Sequence, residues 1–487
     1  MSVPSRDVPW GLRVIEWTTS KFCPQRGLNR LAWHRGGVLA LTYLAYTCYH
    51  MSRKPISVVK NVLNRNCSIL SPPPDLVIND TNLFGRWSSR NNFNLRINFL
   101  FCSLSRSGFV AERVNLRYFL SLGMLASGIS CYLFGIAKPY NIHNLWYFVV
   151  VQALGGVFQT SGWPGVVTVV GNWFGKGKRG LIFGVWNSHT SIGNILGTLI
   201  AAEFVETDWS LSFIVPGLLM GFAGFVIFLF LVPHPLDAGC IPPGPLRYRK
   251  LDAANSSDEG SSADDPETNP VVVSARSERS PMLSVNRRTQ SSSGERAIGF
   301  GGAIKIPGVI EYSLALFFAK LVSYTFLYWL PLYISSSSEY LLSADLSTLF
   351  DVGGIAGAIA AGVLSDWSGM SAVTCAVMLI LAVPTLFVYD LVGSSSWTIN
   401  VILLLVAGSL VNGPYALITT AVSAELGTHP SLGDDSKALA TVTAIIDGTG
   451  SIGAAVGPLL AGFVSRWNGW HSVFYMLMGA DLLALLV

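Results

Sequence analysis

The chain has 487 residues, enough for two or three ordinary globular domains, yet only 12% are charged where soluble domains carry about a quarter, and 51% are hydrophobic. With a mean hydropathy of +0.48 and apolar residues gathered into long blocks, the composition excludes a soluble enzyme and places the chain in a lipid bilayer. The net charge of +4 is small for this length, so no nucleic-acid partner is expected. Seven scattered cysteines with no Cys-x-x-Cys pair indicate neither a disulfide framework nor a zinc site.

A helix needs about 20 apolar residues to cross the hydrocarbon core, and runs of that length recur along the chain. Residues 1–35 carry several Arg and Lys but no cleavable signal, and are expected to remain as a cytosolic segment. The first span covers 36–56, and an outer loop over 57–91 follows. That loop holds two Asn-x-Ser/Thr acceptors, at Asn66 and Asn79, which suit glycosylation on the luminal side. A second span at about 92–111 is weak, because Arg96 and Arg106 interrupt it and each unpaired central Arg costs about 3 kcal/mol. It is nonetheless needed if the clusters Lys176–Lys178–Arg179 and Arg247–Arg249–Lys250 are to share the cytosolic side with the amino terminus. Spans at 118–137, 145–170, 181–203 and 211–233 complete a six-helix bundle over 36–235.

Residues 236–305 read NSSDEGSSADDPETNP and RTQSSSGER, too polar to bury a core, and are expected to form a disordered cytosolic linker. Spans at 308–334, 347–365, 371–393, 398–422, 438–462 and 470–487 form a second bundle over 306–487, its last helix cut short. The apolar runs are too long, and alternate too little, for barrel strands. The expected fold is therefore an all-α membrane protein of two six-helix bundles, twelve helices in all, with the second anomalous.

The halves repeat one another. Ser191-Ile192-Gly193 with Gly197 recurs as Ser451-Ile452-Gly453 with Gly457, an offset of 260. Gly162-Trp163-Pro164 corresponds to Asn412-Gly413-Pro414, and the motif from Gly108 to Arg113 to that from Gly362 to Asp366. In transporters such a duplication places the substrate path between the repeats.

Charges within apolar spans are expensive, so each is a candidate for function. Arg53 and Lys54 lie near the end of the first span, and Lys320 lies about 18 Å into the seventh, near the midplane. Cations converging from both halves make an anion site, and a phosphate suits it best, since guanidinium grips its oxygens in a fork while ammonium acts as a point charge. The competing readings are that Arg53 and Lys54 snorkel to the headgroups, and that Lys320 pairs with Asp351 or Asp447. His189, in a polar patch of the fifth span, either touches substrate or makes an interhelical contact; Asp351 and Asp447 either relay protons or bond a neighbouring helix. Tyr49 and Tyr324 complete the set of candidate substrate-binding residues. The Gly-rich runs GTGSIGAAVG and GGIAGAIAAG follow no strand and read as helix-packing faces, so no cofactor is expected.

The segments YHMSRKPISVVK, GNWFGKGKRG, VWNSHTSIGNILG, FAKLVSYTFLYWLPLYI and TAIIDGTGSIGAAVGPLLAG resemble the major facilitator superfamily, and within it the organophosphate:phosphate antiporters, especially the animal sugar-phosphate exchangers of the endoplasmic reticulum. The resemblance covers nearly the whole chain except the linker and residues 84–107. It implies exchange of glucose 6-phosphate for inorganic phosphate by alternating access, with Arg53, Lys54 and Lys320 matching the family's basic residues for the phosphoryl group. Bacterial relatives carry their histidine one position beyond His189, where this chain has Thr190. A non-transporting membrane scaffold or sensor of the same fold is the alternative.

Overall fold

The computed structural model describes residues 8–22, 30–63, 114–142, 144–174, 179–240, 296–297, 299–337, 343–427 and 436–487. Helix α1 (Trp10–Phe22) precedes the first crossing, which is made of α2 (Arg30–Arg53) and α3 (Pro55–Leu63). Next come α4 (Leu116–Ile136), α5 (Leu145–Gln159) with α6 (Gly162–Phe174), α7 (Arg179–Asn187) with α8 (His189–Val205), and α9 (Leu211–Phe230). The short α10 (Phe300–Ile304) leads into the second bundle: α11 (Val309–Ser337), α12 (Ser343–Ser368), α13 (Ser371–Val392) and α14 (Trp397–Leu417). A π-turn over Ile418–Val422 carries α14 into α15 (Ser423–Leu426), and α16 (Leu439–Leu486) closes the chain. Helix α16 is two crossings, because Gly469 at φ 76° and ψ −175° interrupts it in a conformation that only glycine adopts cheaply. A two-residue strand β1 (Arg296–Ala297) runs parallel to β2 (Ser436–Lys437).

Helices lie at eleven of the expected spans, three of them as pairs of shorter helices, and seven described helices are each long and apolar enough to cross a membrane. The weak span at 92–111 lies outside the described residues, as do Asn66 and Asn79. Two expected boundaries move. The outer loop does not begin at residue 57: helix α3 runs to Leu63, with Val58 and Val59 buried, because Pro55 opens a new helix rather than ending the crossing. The linker is also shorter than 236–305, since a 3₁₀ turn over Pro235–Ala238 and helix α10 bound it, with Ala303 and Ile306 buried. Residues 241–295 lie outside the described part.

Glycines set how closely the helices approach. A Cβ on Gly197 would fall 2.6 Å from the carbonyl oxygen of Met51, and one on Gly457 would collide with that of Leu321. The repeated motif therefore presses α8 onto α2 and α16 onto α11, the same contact in each half.

The cores show where the bundles meet. One apolar cluster joins Val170, Trp173 and Phe183 of the first bundle to Leu417, Val422 and Val442 of the second, so the two are sealed together at the end carrying α6 and α7. A Cβ on Gly184 would meet the Ala358 carbonyl at 2.7 Å, which shows how tight the seal is. Towards the opposite end the core largely divides: Phe326, Phe350 and Phe474 pack within the second bundle, and Phe134, Phe148 and Phe213 pack within the first, where only Ala344 of the second bundle reaches that cluster among the described residues. Beside the latter cluster Lys138 donates to Asp208 at 2.9 Å, and the Ser210 N–H donates to the same carboxylate at 3.1 Å. Burial raises the Asp208 pKa, but those hydrogen bonds outweigh it and hold the group below its usual value. This tie between loops is therefore complete above the ordinary carboxylate range and is lost as pH falls through the lowered value.

Candidate functional site

The break between α2 and α3 builds one wall of the site. Proline has no N–H to donate to the preceding turn but suits the first position of a helix, so Lys54 drops out of helical geometry between the two. Its carbonyl accepts instead from the N–H and hydroxyl of Ser57, at 2.9 and 2.7 Å. The adjacent basic side chains then diverge. Arg53 donates through Nε to Gln159 at 2.5 Å, inside the first bundle. Lys54, only 2% exposed, reaches the second bundle, where it donates to the Leu327 carbonyl at 3.2 Å and lies 3.7 Å from the Asp351 carboxylate.

The opposite wall comes from α11, α12, α14 and α16. Lys320, 3% exposed, forms an ion pair with Asp447, and its ammonium lies 5.5 Å from the centroid of the Tyr415 ring. An ammonium taken out of water needs such a partner, since an unpaired buried charge costs several kcal/mol. Asp351 accepts from the Asn194 amide at 3.0 Å as well as facing Lys54, so α8 and α12 also meet through polar groups. Ser323 donates to Asn412 at 2.6 Å. Pro414 inside α14 and the π-turn after it are the kind of helix irregularity that recurs at functional sites.

Between these walls lie two adjoining chambers. The first, of about 520 Å³ counting space open to solvent, is lined by Arg53 and Gln159 from the first bundle and by Lys320, Tyr324 and Asp447 from the second. The other, of about 430 Å³ on the same basis, is lined by Asn187, Thr190, Asn194, Ser323, Asp351 and Asn412. His50, Tyr324 and Tyr415 border both. Two cations and one carboxylate give the first chamber an excess of positive charge, while the second holds a carboxylate and neutral amides and hydroxyls.

Of the residues singled out in the sequence, Arg53, Lys320 and Tyr324 thus come together around one chamber, drawn from both bundles. Lys54 is not among the groups lining either chamber and instead faces Asp351 and the Leu327 carbonyl. Tyr49 is fully buried, with its hydroxyl 3.3 Å from that of Ser161, and lines neither chamber. His189 is equally buried among aromatic rings, with centroids 4.9 Å away at Tyr46 and 4.5 Å at Trp186, and its Nδ1 lies 3.2 Å from the Thr190 hydroxyl. It is the next residue, Thr190, that lines the second chamber. Asp351 and Asp447 are both ion-paired.

His50, Gln159, Asn194 and Tyr415 were not singled out in the sequence, and Asn412 only as part of the repeat. One signal was present: Asn187, Ser191 and Asn194 recur at helical spacing within an otherwise apolar span. The others carry no charge, so a search for membrane-embedded charge passes over them.

Two helical bundles enclosing a positively charged chamber, in a chain with seven helices long and apolar enough to cross a membrane among its described residues, define a membrane solute carrier. Residues 103–431 match the Major Facilitator Superfamily. The chain is 51% identical over 479 residues to the glucose-6-phosphate exchanger SLC37A2 of Mus musculus, covering 95% of this chain and 93% of that protein. It is 52% identical to the Bos taurus protein of the same name over 469 residues, with 93% of each covered. Identity to the glucose-6-phosphate exchanger SLC37A1 of Mus musculus is 47% over 494 residues, covering 94% of this chain and 92% of that one. The chain belongs to the Major Facilitator Superfamily and, within it, to the sugar-phosphate exchanger family.

Proposed function

We propose that the chain exchanges glucose 6-phosphate for inorganic phosphate across the endoplasmic reticulum membrane. The observation that carries this reading is the pairing of Arg53 and Lys320, one from each bundle, around a single chamber. A phosphoryl group there draws on the guanidinium fork on one side and the ammonium on the other, so its binding energy pulls the two bundles together. Alternating access follows if each bundle moves largely as a body about that point. Asp447 supports obligatory exchange: without an anion it holds Lys320 neutralised, and a phosphoryl group must displace it. The glucose 6-phosphate specificity rests on the names of relatives at about half identity, and the phosphate counter-substrate on the word exchanger in those names. The organelle, and glycans at Asn66 and Asn79, rest on the sequence resemblance and the acceptor motifs.

Lys54 shares the phosphoryl group in this reading only when its contact with Asp351 opens, and Tyr49 and His189 support the wall behind Arg53. The bundles are sealed at the end carrying α6 and α7, which the basic loop at Lys176–Arg179 assigns to the cytosol, so this conformation is the one closed to the cytosol. Purified protein in liposomes loaded with phosphate should take up labelled glucose 6-phosphate, whereas empty liposomes should not. Equal uptake by both would overturn exchange.

A further inference from the structure

Helix α1 lines neither chamber. We propose that it is a membrane-docking helix, whose outer face binds the anionic lipid headgroups of the cytosolic leaflet. Such docking is independent of which solute is carried.

The place of α1 in the fold is set by one small and one apolar residue. A Cβ on Gly11 would fall 2.7 Å from the Leu229 carbonyl oxygen and against the Phe230 ring, so α1 lies directly on the last turn of α9. Leu12, 9% exposed, belongs to the same core as Trp173 and Val232. The last turn of a membrane-crossing helix stands at the level of the headgroups, and α1 is therefore held at that level. The end in question is the sealed one, which the loop at Lys176–Arg179 assigns to the cytosol.

The face turned away from this anchor is apolar as well. At about 100° per residue, Trp10, Val14 and Trp17 fall within an arc of about 60°, with Leu12 on the opposite side. They are 68%, 40% and 62% exposed, so the arc points away from the core that Leu12 joins. An apolar stripe of this kind marks a docking surface, and indole in particular settles at a membrane interface, its ring at the acyl boundary and its N–H among the headgroups. Trp33, exposed in the first turn of α2, stands at the same end, where Arg35 donates to the Trp173 carbonyl at 3.1 Å.

Charge identifies the lipid. Arg13 is exposed and borders the arc, Lys21 falls within it by register, and the one acid of the helix, Glu16, falls outside. Residues 1–35 hold six Arg or Lys against two acids. A cytosolic leaflet bearing phosphatidylserine or phosphatidylinositol complements that excess, whereas a neutral leaflet offers the apolar contact alone.

Hydrogen–deuterium exchange of the full-length protein in vesicles reads the docking directly. The amides of α1 should exchange roughly ten-fold more slowly in vesicles of phosphatidylcholine with phosphatidylserine than in phosphatidylcholine alone, while those of α9 keep one rate in both. Trp10→Ser combined with Trp17→Ser should speed α1 exchange in the anionic vesicles and leave α9 protected; α1 protection that survives both substitutions overturns the proposal. Should that variant fail to reach the membrane, the wild-type comparison decides the matter, since equal α1 exchange in the two kinds of vesicle also overturns it. Protection that grows instead with protein density, at fixed lipid composition, assigns the face to a second copy of the chain and overturns lipid docking.

Discussion

Lys320 shows how one residue serves two needs. Buried to 3% exposure, it is tolerable in a membrane helix because Asp447 is its counter-ion, and in the proposed exchange that counter-ion gives way to a phosphoryl group. Asp447 retains 23% of its side-chain exposure, so the pair is weaker than a fully sealed one. Asp447→Asn should therefore lower the stability of the phosphate-free protein by about 2 kcal/mol. Phosphate, no longer competing with a carboxylate, should restore more stability to the variant than it adds to the wild type. Thermal unfolding in detergent with and without phosphate measures both, and a smaller phosphate shift in the variant would contradict the counter-ion role. At this scale the sequence disclosed the charges but not their partners. Arg53, Lys54 and Lys320 stand out because ionised groups are rare in apolar spans, whereas the match of Lys320 with Asp447 and of Lys54 with Asp351 depends on which helix faces which. Tyr49 and His189 looked equally placed in the sequence, yet both are turned into packed aromatic surroundings, because periodicity marks a helix face without telling a cavity from a core.

The repeated helix contact is the main packing device at the scale of elements. Gly193 and Gly197 let α8 lie against the α2 backbone, and Gly453 and Gly457 let α16 lie against α11, one turn away from the cations on each side. A backbone carbonyl cannot move aside as a flexible side chain can. Gly457→Leu should thus destabilise the protein by about 3 kcal/mol and displace Lys320 from the chamber, lowering both the yield of folded protein and the exchange rate. Normal exchange in that variant would show that the close contact is dispensable. Helices themselves were largely legible: eleven spans emerge where long apolar runs place them, since the bilayer imposes their length. Their interruptions were not. Pro55 looks like the end of a span and is instead the start of α3, and the break it causes is what separates Arg53 from Lys54. The ordered flanks of the linker were hidden too, because Phe300–Ile304 is too short to leave a periodic signal.

For the whole molecule, the distribution of apolar cores carries the functional meaning. A core shared by both bundles at one end, and largely separate cores towards the other, describe a carrier more tightly closed on one side of its two chambers. That closure has to open for transport. A wedge at the seal should therefore trap the carrier: the side chain of Gly184→Val would meet the Ala358 carbonyl, so net exchange should fall at least ten-fold, while phosphate still protects the protein from thermal unfolding. Loss of phosphate protection along with exchange would point to misfolding instead. The central claim is that cations from opposed bundles grip one phosphoryl group, and it is tested most directly by phosphate-driven uptake of labelled glucose 6-phosphate into liposomes holding wild type, Arg53→Ala or Lys320→Ala. Each substitution alone should reduce uptake at least a hundred-fold, as loss of one of two charged partners implies, in protein that remains monodisperse. Uptake near the wild-type rate in either variant would contradict the account.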